Sequence, residues 1–192
     1  MAAIQLLSSI TTGNTSVSGI TIAIGTNSAT RLIILSLTVS GQSGINVTPQ
    51  LEDSQSGVYT FTKVGATVAT SEGNVEMWYL NTNTQSKSGF ITYSNKGGLT
   101  HVANVYTFQS SAGIAFQQYN GTFSVSGQTS SINTTLGTNT GSLVINQWHS
   151  GFSSLSGVSR NGTLLHQLDR GNLINGSAYT VSTSATSQNL YW

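Results

Sequence analysis

The sequence predicts an all-β fold: an antiparallel β-sandwich of jelly-roll type, with about a dozen short strands and little or no helix. Short apolar or alternating runs recur along the 192 residues, separated by clusters of Ser, Gly, Asn and Thr. Val, Ile, Thr, Tyr, Phe and Trp dominate these runs, and these residues fit a pleated surface. No window keeps apolar residues at positions i, i+3, i+4 and i+7 for three turns, as an amphipathic helix requires.

Twelve candidate strands follow from this pattern. In chain order they span Ile4–Ile10, Val17–Ile24, Leu32–Val39, Val58–Val64, Val75–Leu80, Gly89–Tyr93, Leu99–Phe108, Gly121–Val125, Ser130–Leu136, Ser142–His149, Thr163–Leu168 and Tyr179–Thr183. Leu32–Leu37 and Leu143–Ile145 are apolar on both faces, so both faces need to be covered. The sequence therefore predicts that these two segments lie in central strands.

Asparagine and glycine are expected to form most of the turns, because Pro49 is the only proline in the chain. Both residue types tolerate a positive φ angle. Asn120-Gly121, Asn161-Gly162 and Asn175-Gly176 are therefore predicted to be tight turns.

Composition is uniform along the chain, and no linker stands out. We therefore predict a single β-sandwich domain over residues 15–192. Residues 1–14 precede it as an N-terminal arm or as the first strand.

Composition also limits the classes of function. Ser and Thr account for 57 of the 192 residues, whereas charged residues make up only 6%. Six scattered Lys and Arg residues cannot form the basic groove that binds nucleic acid, so no nucleic-acid partner is expected. The absence of cysteine excludes disulfides and cysteine zinc sites. The longest apolar run, Leu32–Leu35, is too short to span a membrane, and Met1–Gly13 lacks the pattern of a targeting segment.

The titratable residues match no catalytic or metal-binding motif. Among the acids, Glu72 and Glu76 are near enough in sequence to meet across a turn, although solvation or a lysine partner is the favoured interpretation. No G-x-S-x-G elbow marks a nucleophilic serine. His101, His149 and His166 lack the spacing of metal ligands. We therefore predict no enzyme activity, no catalytic residue, no metal and no cofactor.

Trp78 and Trp148 are candidate ligand-stacking aromatics. Sugar-binding modules use exposed rings beside amide side chains, and this chain is rich in Asn and Gln. A position in the hydrophobic core is the favoured alternative for both rings, because Trp is a large apolar residue that is highly buried on average.

The two ends of the chain supply candidate assembly contacts. Ile4, Leu6 and Leu7 lie in an apolar N-terminal segment that can add to the sheet edge of a neighbouring molecule. Tyr191 and Trp192 must either pack back onto the domain or contact a neighbour. These five residues are predicted to contribute to protein–protein contacts.

A series of core segments begins with Arg31–Val39, Tyr59–Gly65 and Val75–Leu80. It continues with strands that end at Tyr93 and Phe108, then with Leu143–Ile145 and the closing Trp192. This series of core segments, which covers residues 15–192, resembles a loosely defined family of small β-sandwich domains. Such domains occur in bacteriophage virion proteins, including decoration and tail proteins, and in bacterial surface proteins. The resemblance implies the sandwich fold and a role in virion decoration or adhesion, and it brings no catalytic residues.

From these observations we expect a non-enzymatic structural protein that decorates or forms part of a phage capsid or tail. Its expected partners are copies of itself and the major capsid or tail proteins, and its expected location is the virion or an extracellular surface. A second expectation is a carbohydrate- or receptor-binding module that recognises a cell-surface glycan. A third is an extracellular filament subunit that assembles by strand exchange. No membrane span is expected.

Overall fold

The computed structural model describes residues 4–14, 19–24, 30–40, 48–69, 73–84, 86–93, 101–110, 133–137, 142–150, 162–169, 174–181 and 187–191. Every regular element within these ranges is a β-strand, so the all-β prediction is confirmed. The strands are β1 (Gln5–Asn14), β2 (Gly19–Ala23), β3 (Thr30–Ser40), β4 (Gln50–Asp53), β5 (Val58–Thr60), β6 (Thr62–Ala69), β7 (Gly73–Thr82), β8 (Ser88–Thr92), β9 (His101–Ser110), β10 (Asn133–Gly137), β11 (Leu143–Ser150), β12 (Thr163–Asp169), β13 (Ile174–Val181) and β14 (Ser187–Tyr191). No described segment is a helix long and apolar enough to cross a membrane.

The first nine strands form two antiparallel sheets with nested pairing. β1 pairs with β9, β2 with β8, β3 with β7, and β4 with β5. The larger sheet has the order β1-β9-β3-β7-β6, and the smaller has the order β2-β8-β4-β5. Nested pairs that alternate between two sheets are the topology of a jelly roll. β6 extends the larger sheet beyond β7.

The main hydrophobic core lies between these two sheets. Because successive side chains of a strand point to opposite faces, each strand contributes every second residue to it. The core side chains are Ile20, Ile22, Ile24, Ile33, Leu35, Leu37, Leu51, Phe61, Trp78, Leu80, Ile91, Tyr93, Ala103 and Val105. Burying each large aliphatic or aromatic side chain stabilises the fold by about 1.5–3 kcal/mol.

A third layer covers the other face of the five-stranded sheet. It is an antiparallel sheet with the order β11-β13-β12. A second, smaller core joins the two layers, and it consists of Leu32, Ile34, Tyr106 and Phe108 packed against Leu143, Ile145, Leu165 and Tyr179, among others. β10 and β14 pair with each other. The five-stranded sheet is therefore the middle layer of the described part of the chain.

The middle position of this sheet explains the doubly apolar strands. β3 lies between β9 and β7, and Arg31–Val39 are all buried. The prediction that Leu32–Leu37 lie in a central strand is confirmed. The same prediction for Leu143–Ile145 is wrong, because β11 is an edge of the three-stranded sheet. Its apolar character reflects packing of Leu143 and Ile145 on the second core.

Some boundaries differ from the predicted ones. The predicted strand Val58–Val64 is two strands, because the chain leaves β5 of one sheet at Phe61 and enters β6 of the other. The predicted turn at Asn175-Gly176 is wrong: both residues lie inside β13, which is paired on both sides. Gly162 has a φ of 93° and directly precedes β12. The predicted strand Gly121–Val125 and the turn that starts it lie outside the described residues.

Candidate functional site

β1 is built into the five-stranded sheet. It pairs with β9 along its length, with a register shift at Leu7. Ile4 and Leu6 pack against the second core. Ser9 Oγ donates a hydrogen bond to the backbone oxygen of Leu165 in the third layer, at 3.2 Å. Two of the three N-terminal candidates for assembly are therefore occupied by contacts within their own chain.

The outer edge of β1 pairs with no other strand in the described part of the chain. Exposed edge strands usually carry charges, prolines or bulges, which prevent another strand from adding. β1 spans Gln5–Asn14, and the first 30 residues contain no charged residue and no proline. The opposite edge strand, β6, carries Lys63 and a register shift between Val64 and Val68. Among the described residues, and apart from the shift at Leu7, β1 is the edge of this sheet that lacks these protective features.

Backbone pairing locates two further candidate residues, Tyr191 and Trp148, in their strands. Tyr191 ends β14, where it lies opposite Asn133 of β10. Trp148 lies in β11, opposite Gly176 of β13. Trp192 lies outside the described residues. The contacts predicted for Tyr191, Trp192 and Trp148 stay predictions.

Trp78 belongs to the main core. The residue is 7% exposed, and its indole Nε1 donates a hydrogen bond to Glu76 Oε2 at 3.2 Å. Lys63 Nζ lies 5.4 Å from the ring centroid, a distance typical of a cation–π contact. A ring covered in this way cannot stack on a sugar. Trp78 is therefore a core residue and not a ligand-stacking aromatic.

Glu76 is the centre of a buried polar cluster between β6 and β7. Its Oε1 lies 2.8 Å from Lys63 Nζ, and Thr67 Oγ1 donates to the same oxygen at 2.7 Å. The β-bulge around Gly65, which has a φ of 62°, places Thr67 in β6 near Glu76. Of the two interpretations favoured for Glu76, solvation and a lysine partner, the structure shows the lysine partner, Lys63. Glu72 lies outside the described residues.

Asp53 is held by four donors at the β4–β5 hairpin. Its Oδ1 accepts from the backbone N–H groups of Gln55 and Gly57, at 2.9 and 2.8 Å. Its Oδ2 accepts from the hydroxyls of Thr84 and Tyr59. The bond from Thr84, together with the backbone bonds, lowers the pKa of Asp53 to about 2, although burial opposes this shift. The ionised carboxylate is fully occupied by structural bonds.

Arg31 lies beside this hairpin, at the end of the interface between the two jelly-roll sheets. Its side chain is 0% exposed, and its Nη1 donates to the backbone oxygen of Thr84 at 2.6 Å. Because the Thr84 hydroxyl donates to Asp53, Thr84 connects a buried cation to a buried anion. Burial lowers the pKa of Arg31 from its usual value. Its Nε and Nη2 have no hydrogen-bond partner among the residues that the structure describes.

The interface with the third layer changes from apolar to polar along its strands. In the middle sheet, the cross-strand pairs are, in order, Leu32 with Phe108, Ile34 with Tyr106 and Ser36 with Asn104. In the outer sheet, they are Ile145 with Tyr179 and then Gln147 with Ser177. Ser177 Oγ donates to Tyr106 OH at 2.6 Å and so joins the two sheets. Burial raises the pKa of Tyr106. Within the described ranges, the amide atoms of Asn104 and Gln147 have no partner.

These internal clusters remove most of the charge from the described surface. Four of the six charged residues with described side chains take part in them: Arg31, Asp53, Lys63 and Glu76. The other two, Glu52 and Lys87, are exposed. The described surface is therefore dominated by uncharged groups.

Among the described residues, Phe90 is an exposed aromatic ring that the sequence did not single out. It is 44% exposed on the outer face of the four-stranded sheet, in a row with its cross-strand neighbours Thr21 and Glu52. A Cβ atom on Gly19 would lie only 2.4 Å from the Phe90 ring, so the ring lies against the Gly19 backbone. Exposed and buried residues alternate over Ser88–Thr92, which places Phe90 on the exposed face. The sequence Ser-Gly-Phe-Ile-Thr has no polar–apolar alternation that would have indicated this.

The histidines and acids with described side chains are not grouped around a metal site. No set of three or more His, Asp or Glu side chains among the described residues is arranged to hold a metal ion. His101 is buried, and its Nε2 lies 3.3 Å from Tyr93 OH, with the two rings edge to face. Burial raises the pKa of Tyr93 to about 12. His149 and His166 lie in β11 and β12.

Arg31 was also missed as a site, although the sequence contains the signal: a single charge at the start of an apolar strand that needs cover on both faces.

The chain was also compared with known proteins. No family model, no curated protein and no solved structure matches it.

Proposed function

We propose that this chain is a non-enzymatic structural protein of a virion, which decorates or forms part of a phage capsid or tail through protein–protein contacts. The internal placement of charge carries the proposal, because four of the six described charged side chains lie in internal clusters. An uncharged surface has little like-charge repulsion, so copies can pack densely. Jelly rolls also occur in viral capsid proteins, which supports the proposal by analogy of fold alone.

The outer edge of β1 is the contact surface that fits this role. Strand addition at a sheet edge depends on main-chain hydrogen bonds and needs no charge complementarity. Either a second copy or a capsid or tail protein supplies the added strand. Ile4 and Leu6 contribute indirectly, because their packing on the second core holds β1 in place.

Light scattering of the purified chain over a concentration series tests assembly between copies. Thr11→Lys places a charge at an exposed position of β1, which opposes strand addition. Thr92→Lys is the matched control, because it makes the same change at an exposed position of β8, an inner strand of the four-stranded sheet.

We expect the wild type and Thr92→Lys to reach the mass of an oligomer and Thr11→Lys to stay monomeric. A mass that reaches a plateau indicates a closed oligomer, whereas continued growth indicates the filament alternative. A wild-type monomer at every concentration contradicts self-assembly, and equal masses for the two variants contradict assembly through β1.

Phe90 supports a second candidate, a glycan- or receptor-binding module. Its exposed ring lies on a sheet face, and the adjacent row pairs Thr92 with Gln50, a hydroxyl with an amide. Rings with neighbouring amides suit sugar stacking. A glycan array compares Phe90→Ala with Val58→Ala, which removes an exposed apolar residue from the same face. Loss of a signal with Phe90→Ala alone supports this candidate, and an array without signal for the wild type contradicts it.

A further inference from the structure

The guanidinium of Arg31 has one unfilled side. Its Nη1 donates to Thr84 O, whereas Nε and Nη2 have no partner in the described part of the chain. These two nitrogens lie on the same edge of the planar group, and their N–H groups match the two oxygens of a carboxylate. Because the side chain is 0% exposed in the closed fold, a ligand reaches this edge only when the end of the sheet interface opens locally.

No acid with a described side chain fills this edge. Asp53 is the nearest through bonds, but its two oxygens already accept four hydrogen bonds, which is about the capacity of a carboxylate. Glu76 is bonded to Lys63, and Glu52 is exposed. Arg31 therefore lacks a direct counter-ion among these residues.

The geometry points to a carboxylate-binding site at the end of the interface between the two jelly-roll sheets, with Arg31 as the binding residue and Thr84 as the residue that positions it. A buried charge without a partner is unfavourable, so a bound carboxylate stabilises the folded chain. The other cations with described side chains are Lys63, which is bonded to Glu76, and the exposed Lys87. A single guanidinium matches a carboxylate monoanion better than a phosphate dianion.

Two sources share this chemistry: a small free carboxylate, and a carboxylate carried by a second copy of the chain. The Nε–Hε signal of Arg31 in ¹⁵N NMR spectra distinguishes them. Arg31→Lys identifies the signal, since it removes the planar fork and keeps the charge. A saturable shift on adding sodium acetate, compared with sodium chloride at equal ionic strength, indicates a free carboxylate. A shift with protein concentration alone indicates a carboxylate from a second copy.

Thermal unfolding supplies the second measurement for the free-carboxylate source. At ~100 times its Kd, acetate is expected to raise the Tm by about 5–10 °C relative to chloride. Lys87→Gln, which removes an exposed cation, is expected to keep this rise, and Arg31→Lys is expected to lose most of it. If Arg31→Lys does not fold, Arg160→Lys and Arg170→Lys identify the Arg31 signal by elimination, and the wild-type NMR and acetate series still decide. An Arg Nε–Hε spectrum that changes with neither acetate nor protein concentration overturns the proposal.

Discussion

Lys63 and Glu76 form an ion pair across β6 and β7, with Nζ and Oε1 2.8 Å apart. The Glu76 side chain is 2% exposed, whereas that of Lys63 is 28% exposed. Thr67 and Trp78 donate to the same carboxylate, and Thr67 comes from the bulged part of β6. The pair therefore ties the edge strand β6 to the core of the sheet.

Removing Lys63 is expected to destabilise the fold. Lys63→Met should lower the free energy of unfolding by about 2–3 kcal/mol, less than the full cost of breaking a buried pair because Lys63 is partly exposed. Urea unfolding measures the change. Lys87→Met removes an exposed lysine and is expected to change the free energy by less than about 0.5 kcal/mol. Equal losses for the two variants would contradict a structural role for this pair.

Asp53 is expected to control stability in acid. Its folded-state pKa of about 2 lies below the ordinary value of 3.8. Its contribution to the free energy of unfolding is therefore complete above the ordinary value and is lost as the pH falls from about 4 to about 2. Asp53→Asn should flatten this part of the pH profile and cost about 2–3 kcal/mol at pH 7. Thermal unfolding between pH 2 and pH 7 measures both effects. Glu52→Gln, on the exposed face of the same strand, serves as the control and should retain the wild-type slope.

Removing either of two hydroxyls at the interface with the third layer should change the free energy of unfolding, in opposite directions for the two. Ser177→Ala removes the donor to Tyr106 OH and should lower the free energy of unfolding by about 1–2 kcal/mol. Thr38→Val removes a buried hydroxyl that has no partner among the described residues, so it should leave stability unchanged or raise it by up to about 1 kcal/mol. Denaturant unfolding of both variants is the measurement. A large loss with Thr38→Val would contradict the absence of a hydrogen-bond partner for its hydroxyl.

Two residues with a positive φ angle supply a further matched pair of variants. Gly162 has a φ of 93°, and an added Cβ would lie 2.6 Å from the backbone oxygen of Tyr179, so Gly162→Ala should cost about 2–3 kcal/mol. Ser56 has a φ of 64°, and Ser56→Gly should relieve strain and stabilise the fold by up to about 1 kcal/mol. Calorimetry of the two variants tests both signs. A neutral Gly162→Ala variant would contradict the close approach to Tyr179.

Much of the fold could be predicted from local pattern, and the candidate sites could not. The apolar run Leu32–Leu37 indicated a central strand because both of its faces need cover, and β3 is central. The run Leu143–Ile145 gives the same signal from an edge strand, because the third layer packs it onto the second core. Trp78 and Phe90 show the limit for single residues: the ring considered for ligand stacking is buried, and the ring passed over is exposed.

The sequence by itself determined the strand-forming segments and the all-β class, because alternation and turn residues act over a few neighbouring positions. Only the tertiary structure decided which strands pair, as with Gln5 and Gln109, which are 104 positions apart. It also decided that Asp53 and Glu76 are buried with four and three donors, and that one edge of Arg31 stays unfilled. The physical reason is that the burial and hydrogen bonding of a side chain depend on every layer packed around it, and those layers come from distant parts of the chain.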